Sequence, residues 1–222
     1  MNQNIRSKTW ILLGASRGLG RSFAELIALN QPQDQVLVAS RKSNWSMDFA
    51  KKELWPEYIK EIQKKQASHI LYFAGGGPFG NFAEKNWQDH EWTFKVNFEF
   101  PAYLTYQLAA ENKVNSNKQL EQICLIGSSI AEATADPGAA SYSAAKHAQV
   151  GLVQSLHKEG SLNFDLRLFS PGYMDTNLLP PHAWPRQKSG FVAHPKQIAA
   201  ELYIWLQDVS KRNTHLVIRS QY

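Results

Sequence analysis

Apolar residues along the chain gather in short runs that alternate with stretches of helical periodicity. The first run, residues 9–13, is closed by a glycine, and the apolar positions Phe23, Ala24, Ile27 and Ala28 then fall at helical spacing. Further runs, typical of buried parallel strands, occupy residues 35–39, 70–73, 123–126, 164–169 and 215–218. Helical patterns lie between them at residues 54–62, 87–110, 143–158 and 198–206. This alternation predicts an α/β fold with a doubly wound parallel sheet.

Size and composition favour one globular domain over residues 1–222. A chain of 222 residues that is 43% hydrophobic and 19% charged suits one full core, and no repeat, low-complexity tract or linker divides it. The single cysteine, Cys124, excludes an intrachain disulfide and a cysteine-based metal site, and we predict no metal. No apolar run approaches the roughly 20 residues that span a bilayer, and residues 1–6 lack the apolar stretch of a signal peptide. We therefore expect a soluble cytoplasmic protein with no membrane partner.

The charge balance is modestly basic. The chain has 24 Lys and Arg against 19 Asp and Glu, a formal net charge of +5, and the positive residues are scattered. A nucleic-acid surface is one explanation, but attraction of a phosphorylated small molecule explains the sign as well. We favour the small molecule and predict no nucleic-acid partner.

A glycine-rich turn, residues 14–20, joins the first predicted strand to the first predicted helix. Gly14 permits a tight turn, Gly18 lets the backbone approach a pyrophosphate, and Gly20 allows the helix to pack against the sheet. The amides and dipole at the start of that helix favour phosphate charge. Such a turn also serves elsewhere as a plain connection, but the strand before it and the helix after it favour a dinucleotide site. The predicted contacts are Gly14, Ser16, Arg17, Gly18, Leu19 and Gly20.

The second predicted strand ends in Ser40-Arg41-Lys42, where an NAD-binding protein commonly has a carboxylate for the ribose hydroxyls. Arg41, together with Arg17, is suited to pair with a 2′-phosphate, and charge-assisted bonds of about 1.5–3 kcal/mol each favour NADP(H) over NAD(H). The alternative is that both arginines are ordinary surface charges.

Tyr142 and Lys146 lie four positions apart, so a helix would place them one above the other. A cation at about 4 Å in a partly buried site is worth about 4 kcal/mol, which would lower the tyrosine pKa by about three units from its usual value of about 10. The phenol would then serve as a proton donor and acceptor near neutral pH. Ser129 lies thirteen residues before Tyr142. A tyrosine and lysine at this spacing also occur by chance, and Ser128 and Ser129 follow a strand, where hydroxyls often satisfy turn backbone.

These motifs resemble the short-chain dehydrogenase/reductase family along nearly the whole chain. The resemblance rests on four elements in order: residues 14–20, Ser129, the pair Tyr142 and Lys146, and Pro171-Gly172 followed by Thr176. It implies a single Rossmann-type sheet of about seven strands, hydride transfer between NADP(H) and a carbonyl or alcohol substrate, and a homodimer or homotetramer. The alternative is a non-enzymatic NADP(H)-sensing or scaffold protein on the same fold. The complete Ser, Tyr and Lys set argues against it.

The resemblance also implies roles for individual residues. Tyr142 would be the general acid/base, Lys146 would lower its pKa and hold the nicotinamide ribose, and Ser129 would orient the substrate carbonyl. Asn97 would anchor a water of the proton relay. The sequence gives its own reason for Asn97, because Pro101 lies four residues later and cannot donate to the Asn97 carbonyl; the alternative is that Pro101 merely kinks a helix. The remaining implied cofactor contacts are Ala74, Gly75, Pro171, Gly172 and Thr176.

The chain departs from the family pattern in several places. Leu13 and Tyr72-Phe73 stand where the family commonly has threonine and two asparagines, a loss that concerns packing more than chemistry. The span from Arg41 to Ile70 is short, so we expect one helix to be shortened or lost after the second strand. Residues 45–49 are the candidate edge strand, which would place Asp48 near the adenine amine. Polar residues 113–122 are expected to form an enlarged loop.

The substrate is not named by any motif. Residues 177–193, with three prolines, are predicted to form an irregular lid over it. Tyr173, His182 and Trp184 are the candidate substrate contacts, with Phe191 beside them, although exposure to solvent is the commoner fate of such loop side chains.

Overall fold

A computed structural model describes residues 7–115, 119–132 and 136–219. The strands in these ranges are β1 (Thr9–Leu13), β2 (Gln35–Ser40), β3 (Trp45–Ser46), β4 (His69–Tyr72), β5 (Gln122–Ile126), β6 (Asp165–Ser170) and β7 (His215–Val217). The α-helices are α1 (Gly18–Asn30), α2 (Trp55–Lys64), α3 (Trp87–Phe94), α4 (Phe100–Asn115), α5 (Ala140–Glu159) and α6 (Pro195–Gln207). A π-helical segment, Lys95–Glu99, joins α3 to α4.

The seven strands described form one parallel sheet in the order β3-β2-β1-β4-β5-β6-β7. The chain builds outward from β1 in one direction to β3 and then returns to build outward from β4 in the other. The strand order therefore reverses between β1 and β4, and a crevice opens at the carboxyl ends of strands at such a point. This topology confirms the predicted Rossmann-type doubly wound sheet.

Side chains of β1 point alternately to the two faces of the sheet and so contribute to both hydrophobic cores. Ile11 and Leu13 are fully buried on one face of the sheet, in the cluster that includes residues of α2, α4 and α5. Trp10 and Leu12 are fully buried on the other face, in the cluster with α1 and α6. Successive side chains of a strand point to opposite faces, so a strand covered by helices on both sides must be apolar throughout. This is why the central strands are continuous apolar runs in the sequence.

Tyr72 and Phe73, which replace the two asparagines common in the family, pack into these cores. Tyr72 is fully buried, and its hydroxyl donates a 2.7 Å hydrogen bond to the Val96 carbonyl. The Phe73 ring lies 5.7 Å from that of Phe23, and its amide donates to the Leu13 carbonyl at 2.7 Å. Backbone bonds and aromatic packing therefore join β1 to β4 here.

The connection after β2 is short, as expected. Residues 41–44 form a turn that leads directly into β3, so no helix stands between β2 and β3. The predicted edge strand, residues 45–49, is shortened to Trp45–Ser46. An edge strand pairs on one side only, which leaves its apolar neighbours Met47 and Phe49 free to turn into the core, where both are buried.

The predicted loop at residues 113–122 is smaller than expected. Helix α4 continues to Asn115 and β5 begins at Gln122, while residues 116–118 lie outside the described ranges. Part of the extra length is therefore helix. No helix in the described ranges has both the length and the apolar character that crossing a bilayer requires.

Candidate active site

A cavity of about 930 Å³ opens at the carboxyl edge of the sheet, where the strand order reverses. It collects residues that are far apart in the sequence. Its walls include every predicted cofactor contact: Gly14, Ser16, Arg17, Gly18, Leu19, Gly20, Arg41, Asp48, Ala74, Gly75, Tyr142, Lys146, Pro171, Gly172 and Thr176. Ser129 and Tyr173 also line it. Asn97, His182 and Trp184 do not.

The glycine turn packs tightly against the loop after β4. Gly14 has a φ of +84°, and its amide donates to the Ala39 carbonyl at 2.7 Å. A Cβ atom on Gly14 would lie 2.4 Å from the Ala74 nitrogen, so only glycine fits. Gly18, with a φ of +56°, begins α1. The first turn of α1 has no acidic residue and no side-chain cap, which leaves its amides able to bind an anion.

Two exposed guanidinium groups lie beside this turn. Arg17 and Arg41 both line the cavity, and neither forms an ion pair with any residue in the described ranges. The Arg41 guanidinium lies 5.9 Å from the centroid of the Trp92 ring. Unpaired cations at the mouth of an anion-binding turn are suited to a phosphate group.

Trp92 is a cavity residue that the sequence interpretation missed. It lines the cavity together with Val96, one helical turn later. A Cβ atom on Gly76 would touch both Trp92, at 3.4 Å, and Leu178, at 3.5 Å, so the indole and the lid residue meet above Gly76. The spacing of Trp92 and Val96 was the available signal, because residues four apart share one face of a helix.

Lys146 is directed at the backbone rather than at the Tyr142 hydroxyl. Its side chain is 2% exposed, and Nζ donates to the Ile126 carbonyl at 2.7 Å and to Gln149 Oε1 at 3.4 Å. Nζ lies 5.6 Å from the centroid of the Tyr142 ring, which confirms that the pair shares one face of α5. Burial lowers the pKa of Lys146 to about 7. Near neutral pH the Lys146 side chain is therefore only partly protonated.

The sequence-based expectation of a lowered Tyr142 pKa was wrong. Burial raises the pKa of Tyr142, and a hydrogen bond with Ser128 opposes that rise. Lys146 Nζ donates to the Ile126 carbonyl, and burial rather than this amine decides the direction for Tyr142. The protein chain alone does not make this phenol more acidic than an ordinary tyrosine.

Both serines before α5 line the cavity. Ser128 bonds with Tyr142, and its Oγ also accepts from the Ile130 amide at 3.4 Å. The Ser129 amide donates to the Pro171 carbonyl at 2.9 Å and so joins the serine turn to the Pro171-Gly172 turn. The preference for Ser129 over Ser128 in orienting a substrate stays a prediction.

Asn97 lies behind the cavity wall, fully buried in the π-helical segment. Its Nδ2 donates to the Gly76 carbonyl at 2.6 Å and to the Thr93 carbonyl at 2.7 Å, and its Oδ1 accepts from the Gly76 amide at 3.2 Å. A Cβ atom on Gly75 would lie 2.8 Å from Asn97 Oδ1 and 3.8 Å from Lys146 Nζ, so these two side chains converge on Gly75. The Asn97 side chain therefore shapes the loop after β4, and the unpaired carbonyl stays a prediction.

The lid has more internal structure than expected. Arg186 Nη1 forms a 2.6 Å ion pair with Asp175, and the guanidinium also donates to the carbonyls of Thr176, Leu179 and Pro180 at 3.0–3.3 Å. A short 3₁₀ helix, Trp184–Gln187, follows this segment. These bonds fold the segment that contains Thr176 into a defined shape.

The three candidate substrate residues have different positions. The Tyr173 hydroxyl donates to Asp136, and its ring lies 5.5 Å from the rings of both Trp184 and Phe191. Trp184 and His182 are exposed and stand outside the cavity lining, so Trp184 supports Tyr173 from behind. Of the three, Tyr173 lines the cavity, and its contact with a substrate stays a prediction.

Comparisons with known proteins agree with this architecture. The sequence model of the family described as short chain dehydrogenase matches residues 8–184. A curated relative, the cyclic-di-GMP-binding biofilm dispersal mediator protein of Escherichia coli (strain K12), is 26% identical over 184 residues, which cover 78% of this chain and 76% of that protein.

Solved structures show the same fold. A short chain dehydrogenase from Burkholderia cenocepacia J2315 in complex with NADP has a TM-score of 0.78 at 20% identity, with 96% of each chain covered. A 4-hydroxyisoleucine dehydrogenase complexed with NADH has a TM-score of 0.80 at 18% identity, with 96% of this chain and 98% of that chain covered. At these identities the likeness extends to the fold alone.

Proposed function

Because the chain belongs to the short chain dehydrogenase family, we propose that it is an NADP(H)-dependent oxidoreductase that interconverts a carbonyl and an alcohol. The observation that carries the proposal is the convergence of Tyr142, Lys146 and the two serines with an anion-binding glycine turn on one cavity. A dinucleotide bound at the turn would extend along that cavity toward Tyr142. One site would then hold both cofactor and substrate.

The residues present fit NADP(H). The glycine turn and the start of α1 would hold the pyrophosphate, because a backbone free of Cβ atoms and uncapped amides meet there. Arg17 and Arg41 would take the 2′-phosphate, since their charges have no ion-pair partner among the described residues. Lys146, Pro171 and Thr176 would hold the nicotinamide end. The cofactor supplies the hydride chemistry when bound.

The protein's own contribution is position and proton transfer. The Tyr142 hydroxyl would give its proton to the carbonyl oxygen in the reductive direction and take it back in the oxidative one. The hydroxyl of Ser128 or Ser129 would orient that oxygen. Asn97, behind the cavity wall, and Lys146, in the lining, would support the relay. The partial burial of Tyr142 keeps bulk water from competing for the proton.

The proposal is tested by incubating the protein with NADPH and a panel of ketones, aldehydes, quinones and pterins. The expected result is NADPH oxidation that depends on one substrate class and yields its two-electron-reduced product, an alcohol for a ketone or aldehyde, in equal amount. Mixtures without the carbonyl compound give the background rate. NADPH binding without oxidation by any class of the panel would argue for the non-enzymatic alternative.

Arg41 provides a test of the cofactor preference. Arg41→Asp is expected to lower the ratio of NADPH to NADH affinity at least tenfold, because a charge-assisted bond of about 1.5–3 kcal/mol is replaced by repulsion. Dissociation constants from intrinsic tryptophan quenching measure the ratio. Arg212→Asp makes the same charge change at an exposed position outside the cavity and should leave it unaltered. An unchanged ratio in Arg41→Asp would remove this residue from the phosphate site.

A second candidate function is ligand sensing without turnover. The Escherichia coli relative is named for cyclic-di-GMP binding. The Arg41 guanidinium next to the Trp92 ring, with Arg17 in the same cavity lining, suits a ligand with phosphates and an aromatic base. Titration with cyclic-di-GMP in the presence and absence of NADPH separates the two functions. Tight binding that NADPH displaces, together with an inactive carbonyl panel, would favour sensing.

Three further expectations stay predictions: one domain over residues 1–222, association into a homodimer or homotetramer, and a cytoplasmic location. Sedimentation of the purified chain would measure the association state.

A further inference from the structure

The catalytic end of the cavity contains a carboxylate that the proposed reaction does not use. Asp136 lines the cavity and accepts a hydrogen bond from the Tyr173 hydroxyl on Oδ2. Among the residues that the structure describes, no Lys, Arg or His lies within ion-pair distance of it. A partly buried carboxylate that has one hydroxyl donor and no cation among the described residues retains capacity to accept hydrogen bonds.

The backbone places this carboxylate close to the proposed reaction centre. The Ala139 amide donates to the Asp136 carbonyl at 3.3 Å, and the Ser143 amide donates to the Ala139 carbonyl at 2.8 Å. Asp136 therefore leads directly into the first turn of α5, which contains Tyr142. Tyr173 lies two residues after Pro171, whose carbonyl accepts from the Ser129 amide. The Asp136–Tyr173 hydrogen bond thus joins the segment before Tyr142 to the segment bonded to Ser129.

Charged side chains of both signs line the cavity. The carboxylates besides Asp136 are Glu25, which pairs with Arg21, Asp175, which pairs with Arg186, and Asp48 after β3. The basic side chains Arg17, Arg21, Arg41 and Lys42 belong to the glycine turn, to α1 and to the end of β2. Lys146, which lies beside Tyr142, is buried and bonded to the Ile126 carbonyl. His194, another lining residue, accepts on Nδ1 from the Lys196 amide at the start of α6. The lining also includes the apolar residues Pro78, Phe79, Ile130, Ala139, Met174 and Leu178.

We propose that Asp136 and Tyr173 form a subsite for an ammonium group of the substrate. This inference rests on the proposed carbonyl–alcohol chemistry and narrows it to amino-carbonyl or amino-alcohol compounds. The ammonium supplies the hydrogen-bond donors and the charge that Asp136 lacks, while the apolar walls cover the carbon skeleton. A substrate carboxylate at the same place meets like charge and is rejected.

A matched series of para-substituted acetophenones tests the subsite. The compounds are 4-(aminomethyl)acetophenone, 4-ethylacetophenone and 4-acetylbenzoate, reduced with saturating NADPH. We expect kcat/KM of the aminomethyl compound to exceed that of the carboxylate at least tenfold. In Asp136→Asn the two kcat/KM values should differ by no more than about threefold. Tyr173→Phe, which keeps the ring, should give a ratio between those of the wild type and Asp136→Asn. Asp89→Asn changes an exposed carboxylate outside the cavity and should retain the wild-type ratio.

A binding measurement separates failure of the subsite from failure of the reaction. Saturation-transfer NMR of the folded protein with benzylammonium or benzoate requires no turnover. Benzylammonium binding that weakens at least fivefold in Asp136→Asn supports the subsite even if no ketone is reduced. The subsite is overturned if 4-ethylacetophenone is reduced but the ratio of kcat/KM for the aminomethyl compound to that for the carboxylate is the same in the wild type and in Asp136→Asn. The proposed reaction is unaffected by that result. Absence of Asp136-dependent benzylammonium binding also overturns it.

Discussion

Tyr142→Phe is expected to lower NADPH-dependent carbonyl reduction by about 10²–10⁴-fold while NADPH still binds, because it removes only the group that transfers the proton. The phenyl ring keeps the place of the phenol beside Lys146, whose Nζ lies 5.6 Å from the ring centroid. The Tyr142 Cβ atom, which a Cβ atom added at Gly77 would approach to 3.4 Å, is also retained. Single-turnover measurements with NADPH in excess report hydride transfer, and tryptophan quenching reports cofactor binding.

The control for this variant is Tyr106→Phe. Tyr106 is 66% exposed on α4 and stands outside the cavity lining, so loss of its hydroxyl should leave both measurements at wild-type values. If Tyr142→Phe retained full activity on a substrate identified in the panel, Tyr142 would not be the acid/base. If NADPH binding were lost together with activity, the Tyr142 hydroxyl would be required for cofactor binding, and the loss of activity would not show proton transfer.

The strands and the glycine turn could be predicted because their physical cause is local. A strand covered by helices on both faces must be apolar along its length, and Ile123–Ile126 shows this in the sequence before any contact is known. Gly14 and Gly18 likewise follow from a backbone conformation that other residues avoid, and both have positive φ angles. The edge strand was predicted too long because its apolar residues, such as Met47, serve the core rather than a ladder.

The electrostatics of the site could not be predicted, because they depend on tertiary burial. Helical spacing placed Lys146 near Tyr142, but it could not show that Nζ would bond the Ile126 carbonyl on another strand. Nor could it show that burial would bring the Lys146 pKa to about 7. Asp136 has no helical or strand periodicity around it, so only the fold reveals that it meets Tyr173. Trp92 is a different case, because its four-residue spacing from Val96 in the sequence already indicates that the two side chains share one face of a helix.

The largest structural effect is expected from Gly14→Ala, which should lower the free energy of unfolding by about 2–6 kcal/mol. Two costs combine: an alanine at a φ of +84°, and a Cβ atom 2.4 Å from the Ala74 nitrogen. Backbone cannot move aside as a flexible side chain would, so the turn must separate from the loop after β4. Because that turn is the proposed pyrophosphate site, NADPH affinity should fall at least tenfold. Urea unfolding and tryptophan quenching measure the two quantities.

Gly160→Ala separates the two costs. Gly160 ends α5 with a φ of +62°, close in conformation to Gly14, but a Cβ atom there would have no neighbour within 4 Å. It should destabilise the protein by only about 1–2 kcal/mol and leave NADPH affinity unchanged. Equal losses of stability in the two variants would mean that backbone conformation accounts for both. The close packing of Gly14 on Ala74 would then add nothing, and the glycine at this turn would be required for its φ angle alone.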